Sequence, residues 1–474
     1  MSAPTPYDTV PYPSAIFEQT HPARLRMIAR MHGVTTPLVE TARVLEIGGG
    51  DGLNMMAFAA AYPDATFHSF DLAETAVARG QELLAESGLT NVEVVVGDIM
   101  TAQSYYAAGS FDYVIAHGVY AWVPEPVRAA TMALIANVLA PDGVAYLSYN
   151  ALPGGYIRMA MRDMLLHALE GATDDADKIG KTDRYLRLFA KPQESDDPVV
   201  KAMRAQASSM LDRPDSVLFH DELGDVFAPQ RLTDVVHAAE HVGLRFLSDE
   251  PGQKRAFDGF LPDGIEPDGD VEVQIVRAAQ ASDYAGVRFF RQTLFVHNHV
   301  TPARQIDLKR LDGLWMSCSL ARTETGGFMC GEARFSIGDE ELARMIDIVT
   351  DNFPDRFAFA EKVVDPVRRR ALLDLLARGY IYFHEGPPSF PLKASERPEV
   401  SLLVRAQLRL RHELVCTVTH RMVALHQPEL RALLLAADGT RTIDEIATMP
   451  DLNFPTDQIR PALDAAAARG LLIR

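Results

Sequence analysis

The sequence predicts an α/β protein: a doubly wound parallel sheet at the front, a helical and mixed middle region, and a winged-helix-like C-terminal region. Three observations predict it. The first is Arg43 to Gly52, RVLEIGGGDG, an apolar run that reads as a buried strand, then glycines, then helix-like sequence from Leu53. The second is a regular alternation from 43 to 150. Strands are expected at 43–48, 66–71, 92–97, 111–117 and 143–149, with helices at 53–62, 74–88 and 125–140. Near-continuous apolar strands joined by helical crossovers imply a parallel sheet covered on both faces. The third is an echo late in the chain. Residues 365–383 and 457–474 each read as helix, Ala-Arg-Gly, apolar strand, and 340–351 corresponds loosely to 427–438, which suggests a duplicated unit.

The remaining elements follow in order. Residues 1–20 are rich in proline and tyrosine and read as extended, and 21–40 read as helix. After Pro153-Gly154-Gly155 the pattern changes. Residues 157–212 read as helical, interrupted by polar stretches at 171–182 and 192–198. A helix is expected at 229–242 and strand-like pieces at 243–248, 271–276 and 287–296, with a Pro/Gly/Asp-rich loop over 249–270. The expected organisation is 1–165, 166–300, 301–390 and 391–474.

Bulk properties exclude several classes. The 474 residues carry a net charge of −18, which argues against binding a phosphate backbone and leaves a basic partner open. Cys318, Cys330 and Cys416 form no close pair, so neither a disulfide framework nor a zinc knuckle is expected, and a reducing, cytoplasmic setting fits. No apolar run approaches the ~20 residues of a membrane span, and the first residues lack the plan of a signal peptide. His237 and His241 stand at i, i+4 with no obvious third ligand, and His297-Asn298-His299 ends a strand-like run, so no metal is expected. Arg368, Arg369 and Arg370 read as a solvated helix face.

Chemistry concentrates at the strand ends. Glycines admit close backbone approach, and the following helix N-terminus offers free N–H groups. Asp71 ends the second strand, where a carboxylate can accept both hydroxyls of a ribose. Asp98 ends the third, where a carboxylate can accept from an adenine amino group while Ile99 covers a ring face. Three such features on consecutive strand ends define the crevice where open α/β sheets bind ligands.

EIGGGDG, the acid at Asp71, Gly97-Asp98 and FDYVIAHGV (111–119) together resemble class I S-adenosylmethionine-dependent methyltransferases, whose sheet is Rossmann-like. The resemblance covers 43–150 and implies S-adenosyl-L-methionine as cofactor. It implies that Gly48, Gly50 and Gly52 lie beside the methionine portion, that Asp71 and Leu72 serve the ribose, and that Asp98 and Ile99 serve the adenine. His117 and Gly118 would lie near the sulfonium, and Glu46 would support the loop. YPSAIFEQTHP (12–22), AWVPEPVR (121–128), SYNALPGGY (148–156), 220–250 and RQTLFVHNHV (291–300) resemble a bacterial subfamily with an appended methyltransferase regulatory domain, which includes protein lysine methyltransferases. One departure from that pattern is Gly155, which stands where an aromatic usually follows Pro-Gly; Tyr156 comes next.

Methyl transfer needs an aligned nucleophile, excluded water and a free lone pair. Candidate catalytic residues are Asn150, whose carbonyl can orient an amine, and Tyr149, which can do the same or relay a proton. Candidate substrate contacts are Phe17, Tyr120, Trp122 and Tyr156. Thr20 and His21 can help Phe17 close the site, or His21 can simply cap a helix. No general base stands out. The expected activity is methyl transfer to a lysine amine of a protein substrate. The alternatives are a small-molecule N- or O-methyltransferase and a non-catalytic S-adenosylmethionine-binding regulator. The rear modules are expected to present substrate or to make a homodimer.

Overall fold

A computed structural model describes residues 5–191, 197–250, 259–261, 269–359 and 362–474. The expected polar stretch at 192–198 and loop at 249–270 therefore lie largely outside the described residues.

One seven-stranded sheet organises the front. Strands β1 (Arg43–Ile47), β2 (Thr66–Asp71), β3 (Val92–Val96), β4 (Phe111–Ala116) and β5 (Leu139–Asn150) run parallel in the order β3-β2-β1-β4-β5. Two more strands complete it. β7 (Phe290–His297) pairs antiparallel with β5, and β6 (Leu244–Asp249) pairs antiparallel with β7. Both come from the span expected to form a separate middle region, so the sheet runs across the 165/166 boundary.

The helices are α1 (Pro6–Thr9), α2 (Pro22–Met31), α3 (Leu53–Ala61), α4 (Glu74–Ser87), α5 (Ile99–Ala102), α6 (Glu125–Val138), α7 (Gly154–Ala168), α8 (Asp175–Ala190), α9 (Pro198–Leu211), α10 (Asp215–Leu223), α11 (Leu232–His241) and α12 (Val271–Gly286). On one face of the sheet, Val44, Phe67, Tyr113 and Tyr146 bury against Leu25, Ile28, Met56 and Phe58 of α2 and α3. On the other, Leu45, Val114, Leu147 and Tyr149 bury against α6, α11 and α12. This is the doubly wound arrangement, with the period-2 alternation of each strand dividing its side chains between two cores. Helices α7 to α10 enclose a smaller core of Met161, Leu165, Leu186, Ala207, Met210 and Leu218.

Three local expectations change. The helix expected over 21–40 stops at Met31, because Gly33 turns left-handed at φ +69°. Residues 6–9 form a helical turn inside the arm expected to be extended. The strand-like 271–276 opens α12 instead: Asp270 accepts the Glu272 N–H as N-cap, and Ile275, Ala279 and Asp283 bury one helical stripe. The local V-E-V-Q-I-V alternation loses to that longer i, i+4 pattern.

The C-terminal half holds β8 (Trp315–Ser317), β9 (Ala321–Arg322), β10 (Phe328–Cys330), β11 (Ala333–Phe335), α13 (Glu340–Asp351), β12 (Phe357–Ala358), α14 (Pro366–Ala377) and β13 (Tyr382–His384). It continues with α15 (Leu402–Arg409), β14 (Leu414–Cys416), β15 (Met422–Ala424), α16 (Pro428–Ala436), α17 (Ile443–Ala447) and α18 (Thr456–Ala468). In the first module β8 is flanked by β12 and β13. In the second, Glu399 and Val400 bridge Asp438 and Leu472 in the same relation. Each module thus sets a central strand between the segments that follow its two helices, which is the echo seen in the sequence. In both, the antiparallel strands β9–β11 or β14–β15 precede the helices. No hairpin follows the second helix among the described residues, where a wing would stand.

The first module does not have a core of its own. Leu311, Leu314, Met316, Ile346, Phe359 and Leu376 belong to the same buried cluster as α2, α3 and the sheet. The last module keeps a separate core around Val404, Leu434 and Leu463. Among the described residues, no helix is long and apolar enough to cross a membrane, no group of three or more His, Cys, Asp or Glu side chains is set to hold a metal ion, and all three cysteines are free.

Candidate active site

The glycine turn joins β1 to α3. Gly48, Gly50 and Gly52 all take φ between 60° and 71°, a region an L side chain enters only under strain. A Cβ on Gly49 would stand 2.0 Å from Ser69 Oγ and 2.5 Å from Glu46 Oε2, so the loop lies directly on the Glu46 carboxyl. A Cβ on Gly50 or Gly118 would meet nothing within 4 Å, so both face open space.

Glu46 is 2 % exposed and lies beneath this turn. Its Oε1 accepts from Asn54 Nδ2 at 2.7 Å and its Oε2 from Ser69 Oγ at 3.3 Å. Burial pushes its carboxyl up to about 8, against the help of those two bonds. Glu46 therefore supports the loop from inside.

Asp71 ends β2 beside the turn. Its Oδ2 accepts the Gly50 N–H at 2.8 Å and its Oδ1 the Ala73 N–H at 2.9 Å. Burial raises its carboxyl even so. Each oxygen keeps a second lone-pair direction free for a hydroxyl. Leu72 next to it is exposed. Asp98 is exposed at the end of β3 and caps α5 by accepting the Met100 N–H at 2.9 Å, while Ile99 packs on the core. The glycine turn, Asp71 and Asp98, expected on consecutive strand ends, thus share one rim.

β4 ends at Ala116, and His117 follows at the same rim. Its Nδ1 lies 3.0 Å from Ser148 Oγ and 3.1 Å from Tyr146 Oη. The Gly118 N–H donates to Ser148 Oγ at 2.9 Å, which leaves the serine proton free for the imidazole. Burial lowers His117 to about 4, so the ring is neutral at pH 7.

The N-terminal arm lies across these groups. Asp8 accepts both the N–H and the hydroxyl of Thr75 at the start of α4, at 3.0 and 2.9 Å. Tyr7 stacks on His220 of α10 with centroids 4.1 Å apart, and Tyr12 reaches Asp221 at 3.4 Å. Ser14 bonds Asp51 in the glycine turn. The Phe17 N–H donates to Asn54 Oδ1 at 2.9 Å, and its ring lies 4.1 Å from that of His117. Phe17 is therefore where a site-closing residue is expected. His21 is partly buried and its Nδ1 accepts the Ala23 N–H at 3.1 Å, so it is the cap of α2.

β5 separates its candidates by parity. Ser148 and Asn150 point to the His117 side of the sheet, and Leu147 and Tyr149 to the other. Among the described residues the Asn150 amide has no side-chain hydrogen bond, and it is 8 % exposed. Four expected roles change here. Tyr149 is 1 % exposed, and its hydroxyl exchanges a bond with Thr293 Oγ1 at 3.1 Å beside the buried Arg291–Asp249 pair, so it lies in the interior on the face away from His117. Tyr120 is buried in the same core, 6.2 Å from the Tyr149 ring. Trp122 is covered: Phe227 packs on it at 4.9 Å, and the Arg158 and Arg162 guanidinium groups lie 5.0 and 5.8 Å from its centroid. Tyr156 is 50 % exposed on the outer side of α7, opposite Arg158, Met161 and Leu165, and meets Arg231.

Sequence reasoning missed Asn54, Tyr146, Ser148 and His220. Asn54 had a visible signal, since it is the one polar side chain in LNMMAFAAA, and a lone amide in a buried helix needs partners. The others carry no local signature.

The residues fit a nucleoside with a charged tail. The turn offers an open backbone, the rim two acids, and the crevice a neutral imidazole, an aromatic cover and an unpartnered amide.

Comparison with known proteins agrees. Residues 44–143 match the family described as methyltransferase domain, and 214–297 the one described as predicted methyltransferase regulatory domain. That second span holds α11, β6, α12 and β7, so it supplies two strands of the sheet. The uncharacterized protein RP789 of Rickettsia prowazekii is 31% identical over 312 residues, covering 65% of this chain and 56% of that protein. The chain thus spans little more than half the length of that relative. RP028 of the same organism is 33% identical over 221 residues, covering 46% of this chain and 88% of that protein. The solved structure of PKMT2 from Rickettsia typhi, alone and in complex with AdoHcy, superposes with a TM-score of 0.78 at 23% identity, over 98% of this chain and 100% of that one. With the glycine turn, the acid-lined rim and both matched domains in one sheet, the chain belongs to the class I S-adenosylmethionine-dependent methyltransferases that carry an appended methyltransferase regulatory domain.

Proposed function

We propose that the protein transfers a methyl group to a lysine amine of a protein substrate. The observation that carries this reading is the unpartnered Asn150 amide, on the same side of the sheet as the neutral His117 and its Phe17 cover. S-adenosylmethionine supplies a methyl already activated by its sulfonium. The chain's own work is then to hold, orient and dry the partners. Asp71 holds the ribose hydroxyls and Asp98 with Ile99 the adenine; Gly48, Gly50 and Gly118 let backbone stand close to the tail. The Asn150 carbonyl accepts from the incoming amine and aims its lone pair. Phe17 excludes water above His117. The crevice favours a neutral amine, because burial disfavours the ammonium form there as it disfavours protonated His117. The net charge of −18 suits a basic substrate surface. The likeness along the whole chain to PKMT2 supports the same substrate class.

A second reading has its own observation. The arm is held at α4, α10 and the glycine turn, and an arm fastened over the crevice suits a small acceptor better than a protein chain. Radiolabelled cofactor incubated with enzyme and a bacterial lysate separates the two. Label in methyl-lysine after acid hydrolysis of the protein fraction supports the proposal. Label confined to small molecules overturns it in favour of the second reading.

A further inference from the structure

The C-terminal half of the chain has no role in the reading above, yet its last module reaches the cofactor turn. The tip of the β14–β15 hairpin, Thr417 to Arg421, inserts His420 against α3. His420 is 2 % exposed, and its ring stacks on Phe58 with centroids 3.9 Å apart, nearly parallel. Its Nε2 lies 2.8 Å from Asn54 Oδ1. That oxygen also takes the Phe17 N–H, and an amide oxygen only accepts, so His420 is the donor. The other half of the Asn54 amide donates to Glu46 Oε1 at 2.7 Å and to Thr20 Oγ1 at 3.1 Å. One side chain therefore joins three parts: the support beneath the glycine turn, the arm above the crevice, and a residue 366 positions later in the sequence.

Two further features mark His420 as held for this contact. Its backbone sits at φ +58°, a region that a side-chain-bearing residue seldom adopts. Its Nδ1 is buried with no partner, a cost accepted to bring Nε2 to Asn54. Next to it, Arg421 approaches Glu18 of the arm at 3.8 Å. The hairpin tip thus meets the arm through Arg421 and the arm's Asn54 anchor through His420.

We propose that His420 is a positioning residue of the cofactor site: by fixing the Asn54 amide it sets both the Glu46-supported glycine turn and the closed position of the arm, so that the last module is a working part of cofactor binding. The carboxamide can be turned only one way. With His420 donating to Oδ1, Nδ2 must face Glu46 and Thr20. Without that donor Oδ1 is held by the Phe17 N–H alone, so the amide that Glu46 and Phe17 share is held less firmly at both ends.

This inference rests on the glycine turn being the cofactor cradle, and the test separates the two. S-adenosylhomocysteine is titrated calorimetrically into the full chain, into His420→Phe, into Asn54→Ala and into the double variant. Phenylalanine keeps the stack on Phe58 and removes the N–H. Arg409→Ala is the control, since Arg409 joins the same module to Glu86 of α4 at 3.1 Å, away from Asn54. The expected result is a 5- to 20-fold loss of affinity in His420→Phe, no change in Arg409→Ala, and a double variant no worse than Asn54→Ala. Steady-state kinetics should show the loss in KM for S-adenosylmethionine with kcat within twofold. Should His420→Phe not fold, His420→Asn tolerates the left-handed backbone and is too short to reach Asn54, and it reads the same bond. Undiminished affinity in the folded variant, or losses that simply add in the double variant, would overturn the proposal. If the full chain itself does not bind, the cradle reading fails and the proposal falls with it.

Discussion

Replacing Asp71 with alanine probes the rim most directly. The carboxylate makes two bonds in the structure, to the Gly50 and Ala73 N–H groups, and would make two more to ribose hydroxyls. Losing the first pair loosens the turn before any ligand arrives; losing the second removes contacts to the ligand. A hydrogen bond to a charged group contributes roughly 1.5–3 kcal/mol, less where water competes. Because the free loop can partly reorganise, the net loss should be about 2–4 kcal/mol, or ~30- to 700-fold in affinity. Calorimetric titration of S-adenosylhomocysteine measures this, and its 2′,3′-dideoxy analogue separates the two contributions. The unmodified chain should bind the analogue more weakly, and Asp71→Ala should no longer distinguish the two ligands. Unchanged affinity in a folded variant would refute the rim assignment. A wild type that fails to distinguish the ligands would reduce Asp71 to a brace of the turn.

Other outcomes follow from the same geometry. Glu46→Gln should flatten the pH dependence of stability. The folded carboxyl sits at about 8 against an ordinary 4.5, so its stabilising neutral state is fully present below 4.5 and lost as pH rises through 8. The wild-type unfolding free energy should therefore fall relative to the variant across that window, by up to ~1.4 kcal/mol per pH unit, seen as a falling Tm, and parallel Tm–pH curves would dismiss the buried-acid account. Asn150→Ala should lower kcat about 10- to 100-fold, the range for losing one orienting bond and its alignment, with S-adenosylhomocysteine affinity unchanged; equal turnover would remove its orienting role. Phe17→Ala should speed cofactor dissociation several-fold in stopped-flow displacement, consistent with the ~0.5–1.5 kcal/mol of an aromatic pair. Ending the chain at residue 300 should yield insoluble protein, because Leu314, Met316, Phe359 and Leu376 fill the core beside α2 and α3; a soluble fragment that binds cofactor would show that the front folds alone.

The sheet was legible in the sequence because its strands are buried on both faces and bounded by glycines and acids. β1 to β4 lie within a residue of their expected limits. The rim was legible for the same reason: Asp71 and Asp98 follow directly from where strands end. What the sequence could not show was side-chain direction. Tyr149 and Asn150 are neighbours, yet one strand step puts them in different cores, and only the pairing of β5 with β7 decides which faces the crevice. Tyr156 fails likewise, since the helical phase of α7 is set by Arg158 and Met161 packing inward. Contacts such as His420 with Asn54 join distant segments and leave no local trace.

The two last strands of the sheet carry a consequence for synthesis. β5 is complete at residue 150, but its partner β7 ends at residue 297. While the ribosome makes that interval, a twelve-residue, largely apolar strand has one unpaired edge. At ~5–20 residues per second the exposure lasts roughly 7–30 s, long enough for pairing with the wrong chain. The nascent protein should therefore depend on holding chaperones until β7 emerges, and slowing translation downstream of residue 150 should raise its aggregation.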